Sequence, residues 1–346
     1  MLSRLGHNEL IALAKKKCIP PLLADFYKGQ AGGRVCIIGG CEDYTGAPYF
    51  SANATALMGC DLTHVICEKS AATVIKSYTP NLMVHPYLRD NNSSEQSEMN
   101  KIKNLLQRIH AIVIGPGLGR DENMLKSVKE IIQFILIDKK GQVPIVIDAD
   151  GLFLISQDKD VREILKKFAK GRIVLTPNVV EFKRISDAVA KDLKFDTNTL
   201  KDNEQMGHFI SNELNCILVQ KGKQDKIYSP GNDHILINKQ QGSFKRVGGQ
   251  GDTLTGTIGC MLSYSSLMSD YHVVPPEIMQ KLDDNTQNLT WVEYALLSCY
   301  VGTTITRECS RLAFKNKGRA MQTSDLNDRV GIAYQEIIEN VNNVAE

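Results

Sequence analysis

Short runs of Val, Ile and Leu alternate along the chain with longer stretches of helical or mixed polarity. Residues 34–40 (RVCIIGG) are an apolar run ending in Gly-Gly, and residues 52–61 (ANATALMGCD) follow with the small-residue content of a helix. Residues 63–68 (THVICE) predict the next strand. Residues 110–119 (HAIVIGPGLG) predict another that ends in glycine, and residues 124–137 (MLKSVKEIIQFILI) carry the period of an amphipathic helix. The scheme recurs at 143–151 (VPIVIDADG), 171–178 (GRIVLTPN), 216–222 (CILVQKG) and 226–230 (KIYSP). Residues 291–312 read as a core helix rich in small residues. Near-continuous aliphatic runs between helices describe strands covered on both faces, hence an α/β fold with a mostly parallel central sheet and helices on both sides. No repeat of fixed period stands out. Two polar stretches, 186–205 and 269–290, read as surface insertions without chemistry, and the rest, about residues 10–335, as the core of one domain that takes up the whole chain.

Each strong strand runs into a polar or glycine-rich loop: GGCEDYTGAP at 39–48, GPGLGR at 115–120, DADG at 148–151, TPNVVEF at 176–182 and KGKQD at 221–225. Open α/β sheets bind ligands outside the carboxyl ends of their strands. The sequence therefore gathers its polar candidates on one rim.

Composition narrows the classes. The 346 residues carry a net charge of +2, which argues against a dedicated nucleic-acid binder and leaves small anionic ligands open. The nine cysteines form no CxxC pair, and several lie in apolar runs, as Cys36 and Cys260 do; they read as reduced core thiols of a cytoplasmic protein, not as a zinc site or disulfide framework. No stretch approaches the roughly 20 apolar residues of a membrane span, and the N-terminus lacks a secretory apolar region. Residues 1–18 are basic and amphipathic like a mitochondrial presequence, but Glu9 and the scarcity of Ser and Arg favour a surface helix. A mitochondrial isoform stays open.

Residues 246–256 (RVGGQGDTLTG) place four glycines within nine positions, set Asp252 among them and continue directly into the apolar TIGCML. Glycine lets backbone N–H groups converge on a ligand, and a following helix adds the positive end of its dipole, so the stretch reads as an anion cradle. It is not a P-loop, since no Lys follows Gly251. GPGLGR likewise lacks the spacing of the dinucleotide-binding fingerprint. An acid beside an anion site fits phosphoryl transfer, in which a base takes the proton of the attacking hydroxyl. Asp252 reads equally well as an N-cap of the helix.

The loop GGQGDTLTG resembles the G-x-G-D motif of the ribokinase-like superfamily. With GGCEDYTGAPYFSANATALMGCDLTHV, VIGPGLGRD, VIDADGL, LTPNVVEFKRI and VQKGKQDKIYSP in this order, the chain resembles the ATP-dependent (S)-NAD(P)H-hydrate dehydratases, the fungal members above all, from about residue 10 to residue 335. The resemblance implies a ribokinase-like fold and a role in nicotinamide cofactor repair. ATP phosphorylates the ring hydroxyl of the S hydrate, phosphate leaves, and NADH or NADPH is restored with release of ADP and phosphate. Mg²⁺ would accompany ATP, with its ligands unassigned. NAD(P)H hydrate and ATP are the implied partners, beside a separate NAD(P)H-hydrate epimerase; homo-oligomer formation is left open, and neither nucleic acid nor membrane is implied.

By position, the resemblance makes Asp252 the catalytic base. The backbone of Gly249, Gln250 and Gly251 becomes the anion hole for the γ-phosphoryl group. ATP would lie against Lys221, Gly222, Lys223, Gln224 and Asp225. The stretch Gly242, Ser243, Phe244, Lys245, Arg246, Val247 and Gly248, leading into the anion hole, would complete its site. Gly117 and Gly119 would receive the hydrate, together with Asn178, Val179, Val180, Glu181, Phe182, Lys183, Arg184 and Asp252.

Plainer roles compete with several of these. Lys221 could be a solvated strand-end lysine. Asn178 and Glu181 have the spacing of a capping box, and Glu181 could also reach a metal through water. Asp148 and Asp150 could bind a metal or shape a turn. Tyr44 could stack on the nicotinamide, though packing of its own loop is favoured, and His85 reads as structural because no partner acid is evident. Two other functions share this motif set: a small-molecule kinase of the superfamily, and a non-catalytic nucleotide-binding protein.

Overall fold

Among the described residues there are nine strands: β1 Arg34–Ile38, β2 Leu62–Glu68, β3 Met83–Leu88, β4 Ala111–Ile114, β5 Ile145–Ile147, β6 Ile173–Leu175, β7 Ile217–Gln220, β8 Asp225–Tyr228 and β9 Leu236–Asn238. The computed structural model describes residues 2–200, 202–275 and 288–340. The strands form one sheet in the order β3-β2-β1-β4-β5-β6-β7-β8-β9. It is parallel from β3 through β7, and β8 and β9 add on antiparallel.

Among the described residues, eleven longer helices surround it: α1 His7–Cys18, α2 Gly46–Leu57, α3 Lys69–Tyr78, α4 Met99–Leu106, α5 Glu122–Asp138, α6 Ala149–Gln157, α7 Lys159–Leu165, α8 Val179–Leu193, α9 Asn203–Glu213, α10 Gln250–Ser269 and α11 Trp291–Lys317. The two-residue period of the strands divides them between two cores. Val35, Ile37, Val113, Val146 and Val219 join α1, α2, α3, α10 and α11. Cys36, Ile38, Ile112, Ile114, Ile145 and Leu218 face the other way, against α4 to α9. The mostly parallel sheet with helices on both faces is the architecture expected.

α10 is buried along nearly its whole length, so its small residues set the approach of its neighbours. A Cβ on Gly256 would fall 2.1 Å from the Ser51 carbonyl oxygen of α2, and one on Gly302 of α11 would fall 2.6 Å from Ile258. The helix thus runs between α2 and α11, with its N-terminus held at the rim.

Some elements differ from expectation. α2 begins at Gly46 and ends at Leu57, not 52–61, because Gly59 turns the chain at φ +99°. β3 and β9 appear where no strand was expected. Residues 186–193 are no insertion but the second half of α8, with Ser186, Val189 and Ala190 buried, and α9 begins at Asn203. Of the other polar stretch, residues 276–287 lie outside the described residues. α1 buries Leu10, Ile11 and Ala14, so the expected surface helix docks one face on the core. Among the described residues no helix is long and apolar enough to cross a membrane.

The chain winds outward from β1 to β3, then returns to place β4 on the other side of β1. That reversal opens a crevice at the carboxyl ends of β1 and β4. There the Gly40 N–H donates to the Gly117 carbonyl at 3.0 Å.

Candidate active site

The first turn of α10 forms one wall. Gly249 is the N-cap residue, with φ +92°, and a Cβ there would meet Thr323 at 2.6 Å. Both the backbone angle and the contact require glycine. The first intrahelical bond runs from the Thr253 N–H to the Gly249 carbonyl at 3.1 Å. The Gly251 and Asp252 amides precede it and are free to face an anion. Asp252 lies inside this turn, and no side-chain cap bond forms at Gly249, so the capping alternative does not hold.

Three strand ends supply the charges around that turn. Lys221 follows β7, and its N–H donates to the Pro177 carbonyl beyond β6 at 2.9 Å. Its ammonium donates to Asp148, after β5, at 2.8 Å and lies 3.7 Å from Glu181. It is no solvated strand-end lysine. Burial opposes its charge, but Asp148 and Glu181 outweigh that and hold its pKa above the ordinary value. Asp252 is pushed up to about 7, by burial first and then by the Asp148 charge, with Lys221 acting in the opposite sense. Burial also raises Glu181. A carboxylic acid that titrates near neutrality beside unpaired amides is suited to proton transfer.

Asp148 and Asp150 divide their work. Asp148 is buried under Lys221, whereas Asp150 accepts from the Gly119 N–H and from Arg120 Nε, each at 3.1 Å, and so shapes the turn. Asn178 and Glu181 form the capping box of α8: Asn178 accepts from the Val180 and Glu181 N–H groups, and Glu181 accepts from the Asn178 N–H at 2.8 Å. Among the described residues no group of three or more His, Cys, Asp or Glu side chains is placed to hold a metal.

A cleft of about 670 Å³ opens beside these charges. It brings together Lys221, Gly222, Lys223, Asp225, Arg246, Val247, Gln250 and Gly251 of the expected nucleotide and anion-hole sets with Asn178, Val179 and Val180 of the expected hydrate set. Val179 and Val180 are 70% and 57% exposed, an apolar pair at its mouth. Gln224, Gly242, Ser243, Phe244, Lys245, Gly248 and Gly249 do not line it, and neither do Glu181 and Asp252 of the expected hydrate set. Phe244 points fully into solvent, and Lys245 closes the loop by donating to the Met321 carbonyl at 2.8 Å. Ser243 donates to the Lys245 carbonyl at 2.7 Å.

The α8 period separates the rest of the expected hydrate residues. Phe182 faces the core and Lys183 pairs with Asp187 in solvent at 3.0 Å, so neither lines the cleft. Arg184 turns with Glu181 toward a smaller pocket of about 150 Å³. Gly117 and Gly119 adopt φ +61° and +75°, packed under Tyr44 and Cys41. Tyr44 itself is 55% exposed, so its side chain is not packed into its loop. His85 lies on β3, its ring nitrogen 3.1 Å from that of His64, a structural stack away from the rim.

α11 contributes residues not anticipated as part of the site: Thr303, Thr306 and Arg307 line the cleft. Arg307 donates to Asp225 at 2.7 Å and to the carbonyls of Gly222, Lys223 and Gln240 at 2.9, 3.0 and 3.3 Å. Their spacing, i, i+3 and i+4, was the available signal of a polar stripe on a core helix.

A sequence profile described as NAD(P)H-hydrate dehydratase matches residues 35–330. The chain belongs to the NAD(P)H-hydrate dehydratase family. The Saccharomyces cerevisiae ATP-dependent (S)-NAD(P)H-hydrate dehydratase is 62% identical to it over 342 residues, covering 97% of this chain and 99% of that protein. Two solved structures share the fold of this family member. A ribokinase-like superfamily protein of Enterococcus faecalis superposes with a TM-score of 0.66 at 22% identity over 94% of each chain. The Bacillus subtilis ADP/ATP-dependent NAD(P)H-hydrate dehydratase, co-crystallised with ATP and Mg²⁺, gives 0.63 at 19% identity over 94% of this chain and 96% of that one.

Proposed function

We propose that the chain repairs hydrated nicotinamide cofactors, dehydrating the S epimers of NADH hydrate and NADPH hydrate at the expense of ATP. The observation that carries this reading is Asp252: a half-buried carboxyl, titrating near neutrality, beside free amides and within the field of Lys221. The Asp252 carboxylate accepts the proton of the ring hydroxyl, and the hydroxyl oxygen attacks the γ-phosphorus held by the Gly251 and Asp252 amides. ADP leaves. Phosphate then departs from the ring carbon while the neighbouring ring carbon gives up a proton to solvent and the double bond re-forms between them, so hydroxide, a poor leaving group, never has to depart. Lys221 balances negative charge at the cleft floor.

Mg²⁺ fits this site as a companion of ATP, since it is usually held by one or two carboxylates plus substrate phosphates. Asp148 is tied to Lys221; Glu181 meets Lys221 and the Asn178 N–H through Oε2 alone, so its Oε1 is the oxygen that would hold the ion. When bound, it supplies neutralisation of phosphate charge. We further place the activity in the cytoplasm, on a chain acting as one domain. A separate epimerase would convert the R hydrate to the form used here.

The test is direct. NADH absorbs in the near ultraviolet and its hydrate does not. Purified protein, NADH hydrate, Mg²⁺ and ATP should give a rise in that band matched mole for mole by phosphate, with none when ATP is left out. ATP consumption with a stable phosphorylated product and no NADH would refute the dehydratase.

A further inference from the structure

We propose that Arg184 and Arg120 form a phosphate subsite for the dinucleotide substrate, on the opposite side of Glu181 from the nucleotide cleft. The proposal rests on the function above and names the part of the substrate this pocket takes.

The pocket of about 150 Å³ is bounded by Arg120, Asp150, Phe153, Glu181 and Arg184. Glu181 stands between it and Lys221, so the pocket opens on the side of the loop that carries Gly117 and Gly119. Arg120 is oriented in advance: its guanidinium lies 4.2 Å over the Phe153 ring and donates through Nε to Asp150 at 3.1 Å. That contact leaves its two terminal nitrogens available.

Neither carboxylate in the wall is a bare charge facing an incoming anion. Asp150 is engaged by Arg120 and the Gly119 N–H, and Glu181 by the Asn178 N–H and Lys221. Arg184 is exposed, and among the described residues no hydrogen bond or ion pair engages its guanidinium; its charge acts on Glu181 only through space. Two guanidinium groups, one oriented and one free, present the planar donor forks that match a phosphate.

A dinucleotide hydrate offers two kinds of phosphate here: the bridging pair common to NADH and NADPH hydrates, and the 2′-phosphate of NADPH hydrate alone. Kinetics with both substrates separate them. Arg184→Gln is expected to raise KM about tenfold, as for loss of one charge-assisted hydrogen bond, with KM for ATP unchanged. A rise for both hydrates assigns the bridging phosphates, and a rise for NADPH hydrate alone assigns the 2′-phosphate; either supports the subsite. Arg120→Gln should act in the same direction, and Arg184→Lys should recover part of the loss. KM values within twofold of wild type for both hydrates in both Gln variants, or a rise in KM for ATP instead, overturn the proposal.

Equilibrium binding of NADPH and NADH by titration calorimetry reads the same pocket without turnover. A wild-type protein that turns over neither hydrate refutes the dehydratase reading. The subsite is then decided by the NADPH and NADH titrations: weaker binding by Arg184→Gln sustains it, and unchanged binding overturns it. An unchanged Tm in Arg184→Gln excludes misfolding as the cause.

Discussion

The Lys221 ammonium lies 2.8 Å from the Asp148 carboxylate, and this pair sits against the first turn of α10, where a Cβ on Gly251 would fall 3.2 Å from Asp148 Oδ2 and 3.4 Å from Lys221 Nζ. Residues 73 positions apart thus share one charge site with the first turn of α10. Glycine at 251 is what allows the turn to come so close.

Replacing Lys221 by Met strips Asp148 of its partner. Asp148 is only 2% exposed, so an uncompensated buried charge remains, at a cost of about 3 kcal/mol. The double variant Lys221→Met/Asp148→Asn should regain most of that stability, because both charges are gone. It should not regain activity, because the phosphate field is lost with Lys221. Urea denaturation and turnover assays on the same three proteins separate the two effects.

If Asp252 is the base proposed above, its carboxyl should govern the pH profile. Its folded-state pKa is raised to about 7, so the base is increasingly protonated below that pH and kcat/KM should fall there. Asp252→Asn should lower kcat by about 10²–10⁴-fold with ATP binding retained, and the limb near pH 7 should vanish. Stability moves the other way. A carboxyl whose pKa is raised on folding binds its proton more tightly in the folded protein, so stability falls as pH rises from about 4 toward 7. Asp252→Asn should therefore raise Tm at pH 8, and the gain should shrink toward pH 4; a constant gain would contradict the titration.

What was legible in the chain follows from which interactions are local. Residues 35–38, 63–68 and 111–114 are buried throughout, so runs dominated by apolar residues announced these strands. β3 was hidden because Pro86 interrupts its pattern, and a proline is tolerated there only because β3 is an edge strand. β9 has three residues, too few for an alternation to show. Residues 186–193 looked like an insertion because α8 exposes much of its surface, yet Ser186, Val189 and Ala190 bury its inner stripe. At the site, the glycine-rich turn that opens α10 and the capping box of Asn178 and Glu181 are local and could be read. The pairing of Lys221 with Asp148 could not, since it joins the ends of β7 and β5. Asp252 could be read as cap or base until the helix start was located at Gly249.

Gly248 and Gly249 should separate sharply although they are neighbours. A Cβ on Gly248 meets nothing within 4 Å, whereas Gly249 has φ +92° and a Thr323 atom 2.6 Å from where its Cβ would stand. Gly249→Ala should cost about 1–3 kcal/mol of strain and displace the Gly251 and Asp252 amides from the phosphate. Gly248→Ala should be close to neutral in both stability and KM for ATP. Thermal melts with and without ATP make the comparison, and equal behaviour of the two variants would show that the turn is not rigid.

Arg307 tests whether the β7–β8 turn, proposed above to bind ATP, is held from behind. Its guanidinium reaches Asp225 and three carbonyls, those of Gly222, Lys223 and Gln240, and so joins the β7–β8 turn to the strand leading toward Arg246. Lysine keeps the charge but has one nitrogen in place of the three that make these bonds. Arg307→Lys should therefore leave Asp225 paired while releasing the carbonyls. The loop that lines the cleft then loses its preferred position before ATP arrives. KM for ATP should rise about tenfold, the equivalent of one or two lost hydrogen bonds to a charged group, while kcat changes less because Asp252 and the α10 amides are untouched. The opposite split, kcat reduced with KM for ATP unchanged, would place the role of Arg307 in the chemical step and not in loop position.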